Sequence, residues 1–300
     1  MNCDVFVVGA LHLDVIVNAP ALPRLDETLR GTSVAYAFGG KGGNQAVAVA
    51  KMGAQVAMAG RIGQDGFADQ IEAALEHAGV DRGQVLRQPG ASGMSVAIVD
   101  AAGDYGAVIV SAANLDIDPS DIAIPEGTKL LCLQNEISEV VNITLARAAQ
   151  ELGIEVMLNA APARAVMAGT EALYHTLIVN RVEALDMTGE GDPLRAAKTL
   201  RAKGYRRVLV TLGGDGVLIA EGDTATHRKG HSVDVVSTHG AGDAFVGAFA
   251  ARLCQSDTTE QAVAFAQAAA ALHVSCPVVE RARIAAEAVR IFQQDQAVKR

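Results

Sequence analysis

Short apolar runs alternate along most of the chain with longer runs in which small or apolar residues recur at helical spacing. The short runs predict buried strands, because strands of a covered sheet are apolar on both faces. They lie at residues 5–9, 55–62, 129–133, 154–158, 176–179, 207–212 and 233–236. The longer runs predict helices at residues 43–52, 139–152, 193–203, 244–253, 258–275 and 281–294.

This alternation is typical of an α/β fold with a mostly parallel central sheet and helices on both faces. The sequence shows no internal repeat, no low-complexity tract and no linker rich in Pro and Ser. We therefore predict a single domain over residues 1–300.

Two segments do not follow the alternating pattern. Residues 14–18 and 29–38 have the character of short strands joined by a Pro-containing loop, and residues 95–99 and 105–110 indicate a hairpin with its turn at 101–104. They predict a small β-flap, or lid, inserted at about residues 12–38 and 93–111. The alternative is that they are ordinary edge strands of the main sheet.

Composition narrows the possible partners and compartments. The 300 residues are half hydrophobic, and 25 basic against 34 acidic residues give a formal net charge of −9. Without a basic block, no nucleic-acid partner is expected. The start of the chain lacks a basic segment and its apolar run has strand length, so neither a signal peptide nor a membrane span is predicted. Four cysteines without metal-ligand spacing indicate reduced thiols and a cytoplasmic location.

The most informative stretch reads Ser-Thr-His-Gly-Ala-Gly-Asp-Ala-Phe, from Ser237 to Phe245. It lies between the predicted strand 233–236 and the predicted helix 244–253. A glycine-rich helix start binds anions through free amides and the helix dipole. An acid at such a site, Asp243, suggests a group that takes a proton from an attacking hydroxyl. The alternative is an ordinary helix start with Asp243 in its first turn.

A second glycine cluster, Gly39-Gly40-Lys41-Gly42-Gly43-Asn44, lies between a predicted flap strand and the helix 43–52. Tight turns alone could explain its glycines, but Lys41 and Asn44 indicate contact with a polar ligand. Neither cluster matches the Walker phosphate loop, and the G-x-G-x-x-G fingerprint is absent. These absences argue against a Rossmann dehydrogenase.

Taken together, these segments resemble the ribokinase family, which also contains adenosine kinase and fructokinase-type sugar kinases. Its early glycine motif corresponds to residues 39–46, and its late D-T-x-G-A-G-D signature corresponds to residues 237–243 with one change. Residues 134–136, 159–164, 180–183 and 211–214 match intermediate elements in the family's order. The resemblance covers nearly the whole chain and implies a three-layer α/β/α fold with a lid.

The resemblance implies roles for the late glycine stretch. Asp243 would be the general base that accepts the proton of the sugar hydroxyl attacking the γ-phosphate of ATP. The amides of Gly240, Ala241 and Gly242 would form the anion hole for the transferring phosphate.

The resemblance also implies sites for Mg²⁺ and the nucleotide. Asn180 and Glu183 would hold Mg²⁺, mainly through water. Their spacing fits a helix N-cap with a capping-box acid equally well. Thr211 and Gly213 would lie along the nucleotide, although the Gly-Gly-Asp-Gly run at 213–216 is also typical of a hairpin turn.

On the sugar side, the positions that match ribose contacts of the family are Asp14, Gly40, Lys41, Asn44 and Glu136. Asp14 could otherwise be a solvated loop acid, and Glu136 could begin the following helix. His12 stands where the family usually has an Asn near the sugar, so it is a further substrate-binding candidate. The resemblance also implies closure of the flap over the sugar and a homodimer formed through the flap.

The chain departs from the family at its expected potassium site. Ser237 replaces the Asp that helps to bind a monovalent cation near the anion hole. The second cation-binding segment would follow Ser275, and here it reads Cys-Pro-Val-Val-Glu instead of a glycine-containing loop. We therefore expect K⁺ activation to be weak or absent.

The leading hypothesis is an ATP-dependent kinase that phosphorylates a hydroxymethyl group of ribose or a related sugar. A nucleoside kinase of the adenosine or pseudouridine type is the alternative. It would need an aromatic surface for the base, and the flap offers only Tyr36, Phe38 and Tyr105. A non-catalytic sugar or nucleotide sensor is a third hypothesis, against which the presence of Asp243 argues.

Overall fold

The computed structural model describes residues 3–102 and 104–298. It contains strands β1 (Val5–Val8), β2 (His12–Asn18), β3 (Ser33–Gly39), β4 (Val56–Ile62), β5 (Asp81–Arg87), β6 (Gly93–Val99), β7 (Tyr105–Val110), β8 (Leu130–Gln134), β9 (Glu155–Asn159), β10 (Thr176–Asn180), β11 (Arg207–Thr211), β12 (Val217–Glu221) and β13 (Thr224–Arg228). Its α-helices are α1 (Lys41–Lys51), α2 (Gly66–His77), α3 (Glu139–Glu151), α4 (Arg181–Thr188), α5 (Pro193–Ala202), α6 (Ala241–Cys254), α7 (Thr259–Ser275) and α8 (Ala286–Val298).

Nine strands form the central sheet in the order β13-β12-β11-β10-β9-β8-β1-β4-β5. The strands from β11 to β5 are parallel, and the β12–β13 hairpin is antiparallel. From β1 the chain first builds one side of the sheet with β4 and β5, and then crosses to β8 and builds the other side. This reversal between β1 and β8 is where ligands bind in open α/β sheets.

Helices cover both faces of the sheet, as the alternating pattern predicts. In β1, Val5 and Val7 pack into a core shared with α6 and α7, whereas Phe6 and Val8 pack into a second core shared with α3 and α5. Successive side chains of a strand point to opposite faces, so a fully apolar strand supplies two cores at once. The three-layer α/β/α prediction is confirmed.

The four strands outside the pattern form a separate sheet in the order β3-β2-β6-β7. β2 pairs with β3 antiparallel and with β6 in parallel, and β6 and β7 form the expected hairpin. The predicted turn at 101–104 is closed by Asp100 N–H donating to Asp104 O at 2.9 Å, while residue 103 lies outside the described residues. The flap prediction is confirmed, and the edge-strand alternative is wrong.

The predicted strand at 233–236 is wrong. These residues have no regular secondary structure and pair with no strand among those described, and the side chains of Val235 and Val236 are 59% and 57% exposed. Val236 N–H instead donates to Val274 O at the end of α7. The hairpin strand β13 forms this edge of the sheet, so the late glycine stretch follows an irregular segment and not a strand.

Several element boundaries differ from the pattern. α1 begins at Lys41, two residues earlier than predicted, and α6 begins at Ala241, three residues earlier. In both cases a glycine with a positive φ is the N-cap, so the glycines that follow it belong to the helix. α8 begins at Ala286, and the predicted start at 281 falls in a 3-10 helix, Val278–Arg283. The periodicity did not indicate α2, α4, β5 or the β12–β13 hairpin. In α4, β5 and β13 most positions are exposed or half-buried and the pattern is weak. In contrast, α2 and β12 do bury regularly placed apolar residues, so their pattern was available in the sequence.

Candidate active site

The candidate residues collect at the carboxyl ends of the parallel strands. Gln134 ends β8, Asn159 ends β9, Asn180 ends β10 and Thr211 ends β11. The first turns of α1 and α6 face this edge of the sheet. Their side chains hydrogen-bond to each other there, so two segments about 200 residues apart form one site.

The start of α6 has the geometry of an anion site. Gly240 is the N-cap with φ of 76°, a left-handed conformation that glycine adopts without strain. Ala244 N–H closes the first helical turn on Gly240 O, so the amides before it have no partner within the helix. The Ala241 amide donates to Thr238 O at 3.2 Å, whereas a Cβ built on Gly242 would meet nothing within 4 Å. The space beside Gly242 is therefore open.

Asp243 lies in the first turn of α6 and is only 8% exposed. Both of its oxygens accept hydrogen bonds from α1. Asn44 Nδ2 donates to Oδ2 at 3.2 Å, and Gln45 Nε2 donates to Oδ1 at 3.0 Å. Because both donors are neutral amides and a carboxylate has about four acceptor sites, the group is held in place and can still take a proton.

A chain of buried amides stands behind Asp243. Gln45 Nε2 also donates to Asn159 Oδ1 at 3.0 Å, and Gln134 Nε2 donates to Gln45 Oε1 at 2.9 Å. Gln45 and Gln134 are not among the site residues predicted from the sequence. The available signal was their place in the motifs at 39–46 and 134–136. Gln45 is the side chain that fixes Asp243 to the carboxyl ends of two sheet strands.

The start of α1 is closed by protein atoms. Gly40 is its N-cap with φ of 85°, and a Cβ on it would lie 2.5 Å from Ala10 O. Lys41 N–H donates to Glu136 Oε2 at 2.7 Å, so a carboxylate occupies the first amide of the helix. Glu136 lies in a turn before α3 and does not begin that helix, and the alternative for this residue is wrong.

Glu136 lies among charged groups of the site. Burial raises the pKa of Glu136, the Lys41 amide and charge oppose that rise, and the negative charges of Asp243 and Asp14 add to it. Three of the predicted residues, Lys41, Asp14 and Asp243, are therefore close enough to influence the carboxyl group of a fourth, Glu136. The structure brings them together as one charged pocket.

His12 and Asp14 lie on the same face of β2, where the flap meets the main sheet. Asp14 is buried and accepts a hydrogen bond from Ser95 Oγ at 2.7 Å, so it is not a solvated loop acid. The Nε2 atom of His12 is buried without a hydrogen-bond partner among the described residues. Burial lowers the pKa of His12, and the charge of Asp14 opposes that change. Burial therefore favours the neutral form of the His12 ring, and its Nε2 is a buried polar atom that the described residues leave unpaired.

Asn114, which the sequence analysis missed, fixes the chain next to this pocket. Its Oδ1 accepts from Leu11 N–H at 2.8 Å and its Nδ2 donates to Leu11 O at 2.9 Å. A Cβ on Gly93 would lie 2.5 Å from the His12 ring, so this glycine leaves room for the ring. No sequence pattern marks such a residue, because its partner is 103 positions away.

Asn180 and Glu183 form the capping box that their spacing allows. Glu183 N–H donates to Asn180 Oδ1 at 2.8 Å, and Asn180 N–H donates to Glu183 Oε2 at 2.7 Å. Burial raises the pKa of Glu183, and the negative charges of Asp186 and Asp243 contribute, while Lys41 opposes the rise. The capping interaction explains the motif locally, and the charges place Glu183 beside the same pocket.

A cleft of about 1010 Å³ lies between the first turn of α6 and the turn at residues 213–216. Thr211, Gly213, Ala241 and Gly242 are among its lining residues. Residues 213–216 form the turn between β11 and β12, closed by Leu212 N–H donating to Gly216 O at 2.8 Å, so the turn interpretation is correct and the turn also borders the cleft. The cleft lies at the upper end of the size range of small-molecule sites, roughly 300–1,000 Å³.

The described residues contain no cluster of three or more His, Cys, Asp or Glu side chains that could hold a metal ion. The half-buried carboxylate of Glu183 is one hard oxygen ligand. Mg²⁺ keeps several waters and takes its remaining ligands from one or two carboxylates and substrate phosphates. The donor set fits a hydrated Mg²⁺ bound together with a phosphate group, and it does not fit a closed protein cage.

The sequence of residues 2–282 matches the model of the pfkB family carbohydrate kinases. The chain belongs to the pfkB family. It is 31% identical over 287 residues to ribokinase from Haemophilus influenzae, covering 92% of this chain and 93% of the relative. It is 34% identical over 283 residues to deoxyribokinase from Salmonella typhi, covering 91% and 92%. The structure of Arabidopsis thaliana ribokinase complexed with ribose and ATP matches with a TM-score of 0.89 and 26% identity, covering 98% of this chain and 99% of that one.

This pfkB protein is thus a phosphotransferase that acts on a sugar hydroxyl, and the predicted ribokinase-like fold and family are confirmed. The family match over residues 2–282 includes the flap strands. No helix within the described ranges has the length and apolarity needed to span a membrane.

Proposed function

We propose that this pfkB protein transfers the γ-phosphate of ATP to a hydroxymethyl group of ribose or a closely related pentose, with Asp243 as the general base. The observation that carries the proposal is the position of Asp243. Its buried carboxylate is fixed by Asn44 and Gln45, is close enough to Glu136 to influence that carboxyl group, and directly follows Gly242, beside which the space is open.

In the proposed step, a sugar in the charged pocket around Glu136 reacts with a phosphate in the open space beside Gly242. The sugar hydroxyl gives its proton to the carboxylate while its oxygen forms a bond to the γ-phosphorus. The bond from the γ-phosphorus to the bridging oxygen breaks, and ADP leaves with that electron pair. Gly242 and its neighbours in the first turn of α6, Gly240 and Ala241, would stabilise charge on the transferring phosphoryl group through their amides and the helix dipole.

For Mg²⁺ we propose a place at the boundary of the pocket and the cleft. Asn180 and Glu183 would hold it through water, without giving up their capping interaction. When bound with ATP, the ion neutralises phosphate charge. Thr211 and Gly213 would lie along the nucleotide in the cleft.

The sugar would lie in the charged pocket under the flap. Its hydroxyls each offer a donor and acceptors, which suits the carboxylates of Asp14 and Glu136 and the donor groups of Lys41 and Asn44. Gly40 would bring the backbone close to the sugar. His12, whose Nε2 is unpaired among the described residues, would be a further polar contact at the same wall.

The aromatic side chains of the flap favour a free sugar over a nucleoside. Tyr36 is exposed and its ring pairs with Phe67 at 6.3 Å, while Phe38 packs against the core beside Gly43. Phe38 is therefore not available to stack on a base, and Tyr36 already has an aromatic partner, while the side chain of Tyr105 lies outside the described part of the structure. The similarity to both a ribokinase and a deoxyribokinase leaves ribose and 2-deoxyribose as the first substrates to compare.

The direct test is ADP release from ATP in the presence of ribose, 2-deoxyribose, other pentoses, hexoses and nucleosides. We expect turnover with a pentose and little with adenosine or pseudouridine. Preferential turnover of a nucleoside would support the alternative function. Sugar or nucleotide binding without ADP release from any compound would support a sensor.

The base assignment is tested with Asp243→Asn. We expect kcat to fall by roughly 10²- to 10⁴-fold, the usual contribution of a positioned base, with ATP binding and thermal stability close to those of the wild type. Asp234→Asn, a change at an exposed acid nine positions earlier, is the matched control. Near-normal turnover of the Asp243 variant would overturn the assignment.

We further propose a homodimer through the flap. The flap exposes Val34, Tyr36, Val108, Ile109 and Val110, an apolar surface on a small sheet. We expect a dimer by light scattering, and a monomer for Ile109→Glu with unchanged circular dichroism. A monomeric wild type would contradict this proposal. The cytoplasmic location also stays a prediction, and it is consistent with the free thiols of all four cysteines.

A further inference from the structure

Arg281 is a buried arginine directly behind the candidate phosphate site. It belongs to the 3-10 helix Val278–Arg283 and is only 8% exposed. Its guanidinium donates to three backbone carbonyls: Nη2 to Ser237 O at 2.7 Å, Nη1 to His239 O at 2.9 Å and Nε to Cys276 O at 3.3 Å. One side chain therefore joins the turn before α6 to the end of α7.

The positive charge of Arg281 has no carboxylate partner. None of the ion pairs among the described residues includes Arg281, and burial lowers the pKa of its guanidinium. Because an arginine in a protein stays charged, the oxygens of the carbonyl dipoles must stabilise it. This is an unusual environment for an arginine, since buried charges are ordinarily paired.

A second side chain holds the same turn. His273 Nε2 lies 2.9 Å from His239 O, and a carbonyl can only accept, so this nitrogen carries the proton. Burial lowers the pKa of His273, and the positive charge of Arg281 contributes to that change. His239 O thus accepts from both His273 and Arg281, and the residue that follows it is the N-cap Gly240.

The carbonyl groups that bind Arg281 belong to the two segments in which the family resemblance implies a monovalent cation. Bare K⁺ is bound in proteins by several carbonyl oxygens that replace its water shell. Here a guanidinium already fills the carbonyls of Ser237, His239 and Cys276, and the family's acidic ligand is a serine. These residues do not fit a K⁺ site.

We propose that Arg281 is a positioning residue that takes the place of the monovalent cation, so that this kinase works without K⁺. The tethered guanidinium holds the carbonyls of Ser237 and His239 and thereby fixes the turn that aims the α6 amides at the transferring phosphate. The inference rests on the proposed function for its kinetic consequence, but the cation binding that it concerns can be measured without any sugar.

Arginine suits this place for geometric reasons. Its planar fork presents several donors in fixed directions, whereas the ammonium of lysine is a single point of charge. The backbone of Arg281 is held in turn, because Lys51 Nζ at the end of α1 donates to Arg281 O at 3.2 Å. Arg281 is therefore held both at its backbone carbonyl and at its guanidinium.

The kinetic experiment compares KCl, NaCl and choline chloride at equal ionic strength. We expect the wild type to have the same kcat and KM for ATP in all three salts. In Arg281→Ala, we expect kcat/KM for ATP to fall by roughly 10- to 100-fold, the effect of misplacing a reacting group by about 1 Å. KCl, or millimolar guanidinium chloride, should restore part of this loss, and NaCl should not. Arg283→Ala, which removes an exposed arginine of the same 3-10 helix, should change neither kcat/KM for ATP nor its dependence on the salt.

The second experiment follows thermal unfolding without substrates. KCl should raise the melting temperature of Arg281→Ala above its value in choline chloride, and it should leave the wild type unchanged. Arg281→Lys, which keeps a charge but not the fork, should have reduced kcat/KM and no K⁺ response, and it serves also if the alanine variant does not fold.

Several-fold activation of the wild type by K⁺ would overturn the proposal while leaving the kinase function intact. An Arg281→Ala protein that loses stability or activity but responds to neither K⁺ nor guanidinium would overturn it as well. If the wild type phosphorylated no sugar, the proposed function would fail, and the melting experiment would still decide whether Arg281 replaces a cation.

Discussion

Two helices of this protein have the same residue type at the N-cap. α1 and α6 both follow a glycine with a positive φ, 85° at Gly40 and 76° at Gly240, and neither N-cap supplies a side-chain hydrogen bond. Both starts are rich in further glycines. On sequence alone they are two copies of one feature.

The surroundings of the two starts differ completely. A Cβ on Gly42 in α1 would lie 2.6 Å from the carbonyl carbon of Gly9, and a Cβ on Gly43 would lie 2.5 Å from the Phe38 ring. On Gly242 in α6 it would meet nothing within 4 Å, and the same holds for Gly213 across the cleft. The glycines of α1 allow protein to pack closely, and those of α6 leave space.

The same residue type therefore serves two purposes. At α1 it brings β1, the flap and the helix together, which sets the positions of Asn44 and Gln45. At α6 it leaves amides open to a ligand. A hydrogen bond from Gln45 in α1 to Asp243 in α6 connects the two helix starts, so the packing of α1 fixes the position of the open start of α6.

The largest effect is expected from breaking that joint with Gln45→Leu. The change leaves Asp243 Oδ1, Asn159 Oδ1 and Gln134 Nε2 without a shared partner in a buried place. An unsatisfied buried polar group costs about 1–3 kcal/mol, so we expect a loss of roughly 3 kcal/mol or more in the free energy of unfolding, together with reduced kcat. Urea denaturation measures the loss. Gln150→Leu, at an exposed position of α3, is the control, and equal stabilities of the two variants would contradict the role of the network.

Gly242→Ala tests the open start. The methyl group enters the space proposed for phosphate, and we expect kcat/KM for ATP to fall by up to about 100-fold. Alanine is a better helix former than glycine by about 1 kcal/mol, so the melting temperature should stay the same or rise. A stable variant with normal kinetics would show that no ligand uses this space.

Gly42→Ala is the matched change at the closed start. Its methyl group would lie within 3 Å of the Gly9 and Ala10 backbones, and the end of β1 must shift to admit it. Overpacking of this kind costs about 1–3 kcal/mol, which exceeds the gain in helix propensity. We expect a lower melting temperature with a smaller kinetic change than in Gly242→Ala. The reverse order of the two variants would invalidate the distinction between the two starts.

Sequence patterns were sufficient where a residue's role depends on its neighbours in the chain. The apolar run of β1 predicted a strand buried on both faces, and the spacing of Asn180 and Glu183 predicted a capping box, which the structure contains. They failed where the role depends on partners brought by topology. The run at 233–236 has strand character but finds no free sheet edge, because the unpredicted β12–β13 hairpin occupies it.

The site shows the same limit. The motif placed Asp243 at a helix start, but nothing in the sequence shows that Gln45 reaches it from 198 residues away. The segment containing Arg281 was predicted as the beginning of a helix, and the structure makes it a 3-10 turn whose side chain points back at the late signature. Long-range hydrogen bonds of this kind leave no periodic signal.

The smallest effect is expected from Glu136→Gln. This change removes the negative charge at the N-terminus of α1 and keeps an oxygen that can accept from the Lys41 amide. Burial raises the pKa of Glu136 from its ordinary value of 4.5, so its contribution to stability is greatest below that value and is lost as the pH rises through the higher folded value. The negative charge is favourable at a helix N-terminus, but burial is the larger influence. At neutral pH the variant should therefore be slightly more stable than the wild type, and the gain should vanish in acid.

Urea titrations at several pH values measure this difference, with Glu151→Gln, an exposed acid of α3, as the control. A variant that is less stable at neutral pH would show that the carboxylate at the closed start stabilises α1 more than its burial costs.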